Sequence, residues 1–351
     1  MQIEEFATAW WVLTYSCNNR CSWCYAGSGL LSGKHLDPDL IDPTLSLISS
    51  LKFKKLILIG GEPTVYRKLE KVISCAKERG LNIGIVTNGR RISDRDYLLK
   101  LKQSGLDHLT ISLEGASSQV HDLMSGIPGS FEEVRRGLDN CLEERIPVTT
   151  ETTISEFNRD YLDELLKLLK TKGFKEAGFN VCTPCVYKEG DNVGLIAPHK
   201  AGKIVSDLYL SGKSIGIDVR LISPLPICTL DSGVAKEMLE KKLLNNVCMM
   251  FFGQNLVIDY NGDVLPCVHF SGYPLLNINK EGKTMTRDEF LSIYNKREGI
   301  PQRFREQLWV YPNERCIDDE LFGTKCVGGC PIFWLKYDPR EEIRGLEKCQ
   351  V

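Results

Sequence analysis

The sequence predicts an α/β protein: a parallel sheet built from six β-α units, followed by a small cysteine-rich domain carrying a β-hairpin. Three observations predict it. Short apolar or β-branched segments alternate with amphipathic helical ones through about residue 185. That rhythm changes after about residue 186, and seven of the fourteen cysteines lie from Cys228 onward.

The strands read, in order, as TAWWVLTYS (8–16), KKLILIGGE (54–62), LNIGIVTNG (81–89), HLTISLEG (108–115), VTTETTIS (148–155) and EAGFNVCTP (176–184). Helical patterns lie between them, among them PTLSLISSLK, LEKVISCAKERG, DRDYLLKLKQSG and FEEVRRGLDNCLEER, several stopped by glycine. Such alternation implies parallel strands with right-handed crossovers, flat or curled toward a barrel. Ligands then belong at the carboxyl ends of the strands. Beyond residue 186 a helical piece (199–212) leads to ISPLPIC and to QNLVIDYNGDVLPC (254–267), a hairpin turning at Asn261-Gly262-Asp263. The remaining stretches read as irregular, so residues 191–351 are expected to form a linker helix and a domain organised around metal, after a first domain of residues 1–190.

Composition narrows the function. A net charge of -2, from 44 basic and 46 acidic side chains, gives no polyelectrolyte signature, so nucleic acid is not expected as a partner. No basic n-region precedes the first apolar residues, and no apolar run reaches the roughly 18 residues of a membrane span, so a cytoplasmic protein without membrane contact is expected. Fourteen cysteines there point to metal or redox chemistry rather than to disulfides.

Cys17, Cys21 and Cys24 follow the first strand directly, in CNNRCSWC. Thiolates suit zinc or an iron-sulfur cluster. No fourth Cys or His lies nearby, and three thiolates on a four-iron cluster leave one iron open for a substrate or cofactor. A zinc loop completed by a distant residue is the alternative.

C-x3-C-x2-C with Trp23 before the third cysteine resembles the signature of radical S-adenosylmethionine (SAM) enzymes. The resemblance extends in order to Gly60-Gly61-Glu62-Pro63, similar to the GGEP motif that meets the methionyl amine, to Thr87-Asn88-Gly89, to Ser112 and to Glu151, with Asn158 shortly after. It covers residues 8 to about 185. It implies a partial (β/α)6 TIM-like barrel, a [4Fe-4S] cluster on Cys17, Cys21 and Cys24, and cofactor contacts from Gly60, Gly61, Glu62, Asn88, Ser112 and Glu151. In such enzymes SAM binds the open iron and yields a 5'-deoxyadenosyl radical, and a flavodoxin or ferredoxin serves as electron donor. Physically, two glycines let backbone approach a ligand, and Glu62 offers an acceptor for an ammonium.

The later cysteines resemble the SPASM extension, which houses two auxiliary [4Fe-4S] clusters. The resemblance implies Cys228, Cys248, Cys267 and Cys330 for one cluster and Cys316, Asp319, Cys326 and Cys349 for the other. The chain departs from the family's C-x2-C-x5-C-x3-C block: Asp319 stands where a cysteine is expected, and six residues separate it from Cys326. The pyrroloquinoline quinone biosynthesis enzyme of this family uses an aspartate at the comparable position. The spacing from Cys228 to Cys248 is also long. A pair of zinc sites is the alternative for this region.

Three readings of function follow. The first is an oxidative maturase acting on a peptide or protein side chain; its strand begins within ten residues of the first residue, so a separate leader-binding partner, or a substrate bound without one, is expected. The second is a dehydrogenase or rearrangement enzyme for a small molecule. The third, a zinc-stapled binding module without catalysis, leaves Glu62 and Ser112 unexplained. No general base is assigned among Tyr25, Asp107, Glu114, His121, Asp122, His269 and Tyr273. His121 is expected on a helix surface, and His269 is the better candidate for a substrate contact. Cys75 and Cys141 read as small buried hydrophobes, and Cys182 and Cys185 as structural thiols near the barrel mouth.

Overall fold

The computed structural model describes residues 3–26, 33–186, 193–245, 248–280, 282–309, 316 and 320–342. Strands and helices alternate as expected: β1 (Thr8–Thr14), α1 (Ile41–Ser50), β2 (Lys55–Gly60), α2 (Leu69–Glu78), β3 (Asn82–Thr87), α3 (Arg95–Gln103), β4 (His108–Ser112), α4 (Ser118–Ser125), α5 (Ser130–Glu143), β5 (Val148–Ile154), α6 (Leu162–Thr171) and β6 (Glu176–Val181). There follow α7 (Pro198–Ile215), β7 (Asp218–Leu221), α8 (Ser232–Glu240), the single turn α9 (Met249–Phe252), β8 (Leu256–Ile258), β9 (Asp263–Leu265), β10 (Leu276–Asn277), α10 (Arg287–Tyr294) and α11 (Ile300–Leu308). Each of the six expected strands ends before its predicted carboxyl limit, because its last residues leave the ladder to build a loop.

The chain divides into two compact units: residues 1–112, 132–148 and 252–306, and residues 113–131, 149–251 and 307–351. They interleave along the sequence and cross the boundary expected near residue 190.

In the first unit the strand order is β10-β9-β8-β1-β2-β3-β4. β1 to β4 run parallel, and their apolar runs are buried, as in Trp11, Val12 and Leu13 of β1 and Leu56 and Leu58 of β2. The predicted hairpin forms between β8 and β9, with Val257 opposite Leu265 and Gly262 at φ +87° in the turn. β8 lies parallel beside β1, with Ala9 opposite Leu256. In the second unit β5, β6 and β7 run parallel, with Glu151 opposite Gly178 and Gly178 opposite Arg220. One face of β6 is apolar and buried (Ala177, Phe179, Val181), and the other carries Glu176 and Asn180.

The carboxyl-terminal stretch is more helical than the sequence suggested, and the expectation of irregular structure there is corrected by α8, α10 and α11. The start signals were local: Asp231 caps α8, and Thr286 forms a capping box with Glu289 at α10. Strand β7 was also unforeseen. Among the described residues no helix is long and apolar enough to cross a membrane.

Candidate cluster and cofactor site

β1 delivers the chain into the cysteine loop at the carboxyl end of the first unit's parallel strands. Cys17 is exposed there, and Cys21 and Cys24 are half-buried. The Cys24 amide donates to the Cys21 carbonyl at 3.3 Å, and the Asn19 amide donates to the Cys17 sulfur at 3.3 Å. Although solvent reaches Cys17, the surrounding protein pushes its thiol up to about 11. A thiolate on this loop therefore needs a cation to hold it, which is the demand a metal meets.

The amide-to-sulfur bond recurs where the chain offers other candidate ligands. The Gly328 amide donates to the Cys326 sulfur at 3.3 Å. Backbone amides of Val268 and His269 pull the Cys267 thiol down against the upward push of burial. Such bonds stabilise sulfur that carries negative charge, and they fit iron-sulfur ligation. Among the described residues no three Cys, His, Asp or Glu side chains converge on a single-ion site. A four-iron cluster takes its thiolates one per iron, so its ligands surround a cube rather than meet at a point.

Gly60 and Gly61 are spent on a close backbone approach. Gly60 has φ +151°, and a Cβ there would lie 2.2 Å from the Thr14 carbonyl oxygen. A Cβ on Gly61 would lie 2.6 Å from the carbonyl oxygens of both Tyr15 and Ser16. This proximity lets the Gly61 amide donate to Thr14 at 2.7 Å and the Glu62 amide to Ser16 at 2.9 Å. The turn after β2 thus braces the start of the cysteine loop.

Glu62 is 1% exposed and its carboxylate is already engaged. One oxygen accepts from the Thr64 amide at 3.0 Å, the Thr64 hydroxyl at 2.6 Å and the Thr87 hydroxyl at 2.6 Å, and the other from the Asn88 amide at 2.7 Å. Glu62 thus ties the β2 loop to the β3 loop, with three donors on one oxygen and one on the other. The Asn88 side chain is turned the same way. Its amide donates to Asn18 at 2.6 Å and approaches the Cys17 sulfur at 3.8 Å.

A second cluster of groups in this unit joins the cysteine loop to the hairpin. The Tyr25 ring lies 4.6 Å from the His269 ring, and His269 Nδ1 lies 3.4 Å from the Cys267 sulfur. Burial lowers His269 to about 4, so the ring is neutral near neutral pH. Asp259, 2% exposed, accepts from Tyr15 and Ser271 at 3.1 Å each. Ser112 ends β4 and is half-buried. Asp107 and Tyr273 do not join this group as acid-base candidates: Asp107 accepts the Ile83 amide at 2.8 Å and pairs with Lys77, and Tyr273 is exposed.

In the second unit, Glu151 accepts from Asn180 at 3.1 Å. Glu114 accepts from the Thr153 amide at 2.8 Å. Burial, with the Glu151 charge adding to it, pushes Glu114 up to about 8. Two expectations are corrected or given a partner here. His121 is buried at 2% exposure rather than on the surface, and its Nδ1 accepts the Glu114 amide at 3.1 Å. Asn158 is fully buried, donating to the Glu114 and Thr153 carbonyls at 3.0 and 2.9 Å. Asp122 holds the Gly129 and Phe131 amides at 2.7 and 2.8 Å, a turn-forming role.

Cys228 lies on the turn Ile227–Thr229. The Cys330 amide donates to the Pro224 carbonyl at 2.9 Å, so these two cysteine-bearing segments adjoin. Cys248, Cys316 and Cys326 are half-buried and Cys330 is buried. Asp319 and Cys349 lie outside the described residues. Cys141 and Cys182 are buried, and Cys185 is half-buried. Cys75, expected to be buried, is also only half-buried, because it flanks the buried stripe of α2 formed by Val72, Ile73 and Ala76.

Three parallel-strand ends lead to a loop of three thiols, a candidate cluster site in an α/β domain. Residues 11–169 match the Radical SAM superfamily, so this part of the chain is similar to the radical SAM domain of that superfamily of enzymes. Curated relatives include the Fe-coproporphyrin III synthase of Methanosarcina barkeri, 32% identical over 161 residues, which are 46% of this chain and 40% of that protein. The AdoMet-dependent heme synthase of the same organism is 26% identical, covering 60% of each chain. A probable GTP 3',8-cyclase of Thermococcus kodakarensis is 29% identical, over 40% of this chain and 46% of its own. The chain thus spans between 40% and 60% of these relatives' length. Among solved structures, anSMEcpe with bound AdoMet shares the fold at TM-score 0.72 and 18% identity, over 96% of this chain and 95% of that one. Streptococcus suis SuiB bound to the precursor peptide SuiA does so at TM-score 0.72 and 14% identity, over 100% of this chain and 77% of that one.

Proposed function

We propose that the chain is a radical SAM oxidoreductase that oxidatively modifies a peptide or protein side chain. The observation that carries the radical chemistry is the loop of Cys17, Cys21 and Cys24, braced from below by Gly61 and from the side by Asn88. When bound, a [4Fe-4S] cluster with S-adenosylmethionine supplies reductive cleavage of the sulfonium and a 5'-deoxyadenosyl radical that abstracts a substrate hydrogen. The protein's own work is to hold and orient. Gly60, Gly61, Glu62 and Asn88 shape the floor beside the thiols, and Ser112 and Glu151 stand at strand positions suited to the cofactor's hydroxyl or carboxylate groups.

Auxiliary clusters are assigned in this reading to Cys228, Cys248, Cys267, Cys316, Asp319, Cys326, Cys330 and Cys349. The peptide assignment is supported by the extent of the fold likeness to anSMEcpe and SuiB, each of which has been solved with a peptide. A flavodoxin or ferredoxin as electron donor and a separate leader-binding protein complete the proposal. A small-molecule substrate is the second reading, favoured by the sequence relatives named for heme and GTP chemistry.

Anaerobic iron and sulfide analysis with 5'-deoxyadenosine assays tests the first step. About twelve irons per chain are expected, falling by about four in Cys17→Ala/Cys21→Ala/Cys24→Ala with loss of 5'-deoxyadenosine formation. Stoichiometric zinc without iron would overturn it. Stimulation of 5'-deoxyadenosine formation by a cysteine-containing peptide, compared with iron coproporphyrin and GTP, separates the two substrate classes.

A further inference from the structure

Arg90 follows Thr87-Asn88-Gly89 at the end of β3, and its side chain is 15% exposed. Its guanidinium reaches in two directions. Nε donates to Glu133 on α5. Nη1 donates to the Asn18 carbonyl and, at 3.3 Å, to the Asn19 side-chain oxygen. Its own amide donates to the Asn88 side chain at 3.1 Å, the side chain whose amide holds Asn18. Asn18 is therefore gripped at its carbonyl by Arg90 and at its side chain by Asn88, and it is the residue next to Cys17.

The grip is fixed from behind. Gly89 has φ +76°, and a Cβ on Gly137 of α5 would lie 2.6 Å from the Gly89 carbonyl oxygen. Helix α5 therefore packs directly on the loop that carries Arg90, and it sets Glu133 in place. A guanidinium stays charged at any working pH and offers a rigid fork of donors, which suits it to span two acceptors.

We infer that Arg90, braced by Glu133, is a positioning residue for the cysteine loop: it clamps Asn18 and Asn19, fixes Cys17, and places a positive charge one residue from that thiol. The inference rests on the reading of Cys17, Cys21 and Cys24 as cluster ligands. It assigns Arg90 two separable effects, a mechanical one on how firmly iron is held and an electrostatic one on the cluster's potential.

The test uses the reconstituted full chain under anaerobic conditions. Two quantities are read: the rate of iron release to a chelator, and the midpoint potential of the paramagnetic-resonance signal that changes when S-adenosylmethionine is added. In Arg90→Gln, iron release accelerates about 10-fold. The potential moves negative, because the Glu133 carboxylate is left without its partner beside a site that gains negative charge on reduction. In Arg90→Lys the charge is kept and the fork is lost, so release accelerates while the potential stays near the wild-type value. Glu133→Gln, for use if Arg90→Gln fails to fold, shifts the potential positive. Arg135→Gln is the control: Arg135 pairs with Glu132 and Asp139 on the exposed side of α5 and leaves both quantities unchanged. A wild-type signal that responds to S-adenosylmethionine, with Arg90→Gln matching wild type in both quantities, overturns the clamp alone. Absence of any such signal in wild type overturns the cluster reading and the inference with it.

Discussion

Glu62 and Glu114 each lie two residues past the end of a parallel strand, β2 and β4, each is nearly buried, and the two are equipped in opposite ways. Glu62 is 1% exposed and receives four donors from Thr64, Thr87 and Asn88. Glu114 is 4% exposed, takes the Thr153 amide among the described residues, and feels the charge of Glu151. A buried carboxylate costs several kcal/mol unless hydrogen bonds replace its water. Glu62 has those bonds and serves as a fixed tie between loops. Glu114 has fewer, and it keeps its proton to about 8. Burial raises the carboxyl of both, and the same residue type just past a parallel strand is a many-bonded tie between loops in one case and a sparsely bonded group that releases its proton near 8 in the other.

The comparison can be broken from the Glu62 side first. Gly61→Ala places a Cβ 2.6 Å from two carbonyl oxygens that cannot swing away. It is expected to cost about 3 kcal/mol or more of stability and to strip iron from the cysteine loop, measured by denaturant unfolding and iron content. Glu62→Gln comes next. Gln offers one acceptor oxygen where Glu62 has two, so its NH2 would face the Asn88 amide donor to donor. A loss of about 2–3 kcal/mol is expected, with faster iron release because Asn88 no longer steadies Asn18. An Asn88 amide that keeps its hydrogen-exchange protection in this variant would deny Glu62 its role as tie.

Glu114→Gln sharpens the contrast from the other side. The folded-state pKa lies above the ordinary value, so the folded chain holds a proton that the unfolded chain has released. Wild-type stability should fall as pH rises from the ordinary carboxyl range toward about 8 and level off above it. Gln keeps the acceptor for the Thr153 amide without a charge. The variant should therefore gain on wild type by roughly 2 kcal/mol between about pH 6 and about pH 9, read as the difference between two denaturation series. Parallel pH profiles would show that Glu114 does not titrate in this range.

Much of the site was legible in the chain because its signals are local. The spacing of Cys17, Cys21 and Cys24 is local, and so is the run Gly60-Gly61-Glu62-Pro63 that ends an apolar strand. The purpose of those residues was not legible. That Glu62 ties two loops could not be read, because its donors Thr87 and Asn88 lie at the end of the next strand. His121 looked like a surface residue because SSQVHD is polar around it, whereas its partner is the Glu114 amide. Arg90, Asn18 and Glu133 carried no motif at all: each is an ordinary polar residue until the strand order brings the three together.

The sequence by itself determined the rhythm of strands and helices, the glycine needed at the hairpin turn, and the three thiols placed after the first strand. Those features follow from backbone preference and side-chain periodicity, which act over a few residues. Only the tertiary structure decided that Leu256 lies opposite Ala9, that Glu62 is satisfied by the loop of β3, and that Arg90 grips the loop of β1. Those pairings join distant stretches of chain, and burial of the strands in register, rather than any local preference, selects which polar groups finally meet.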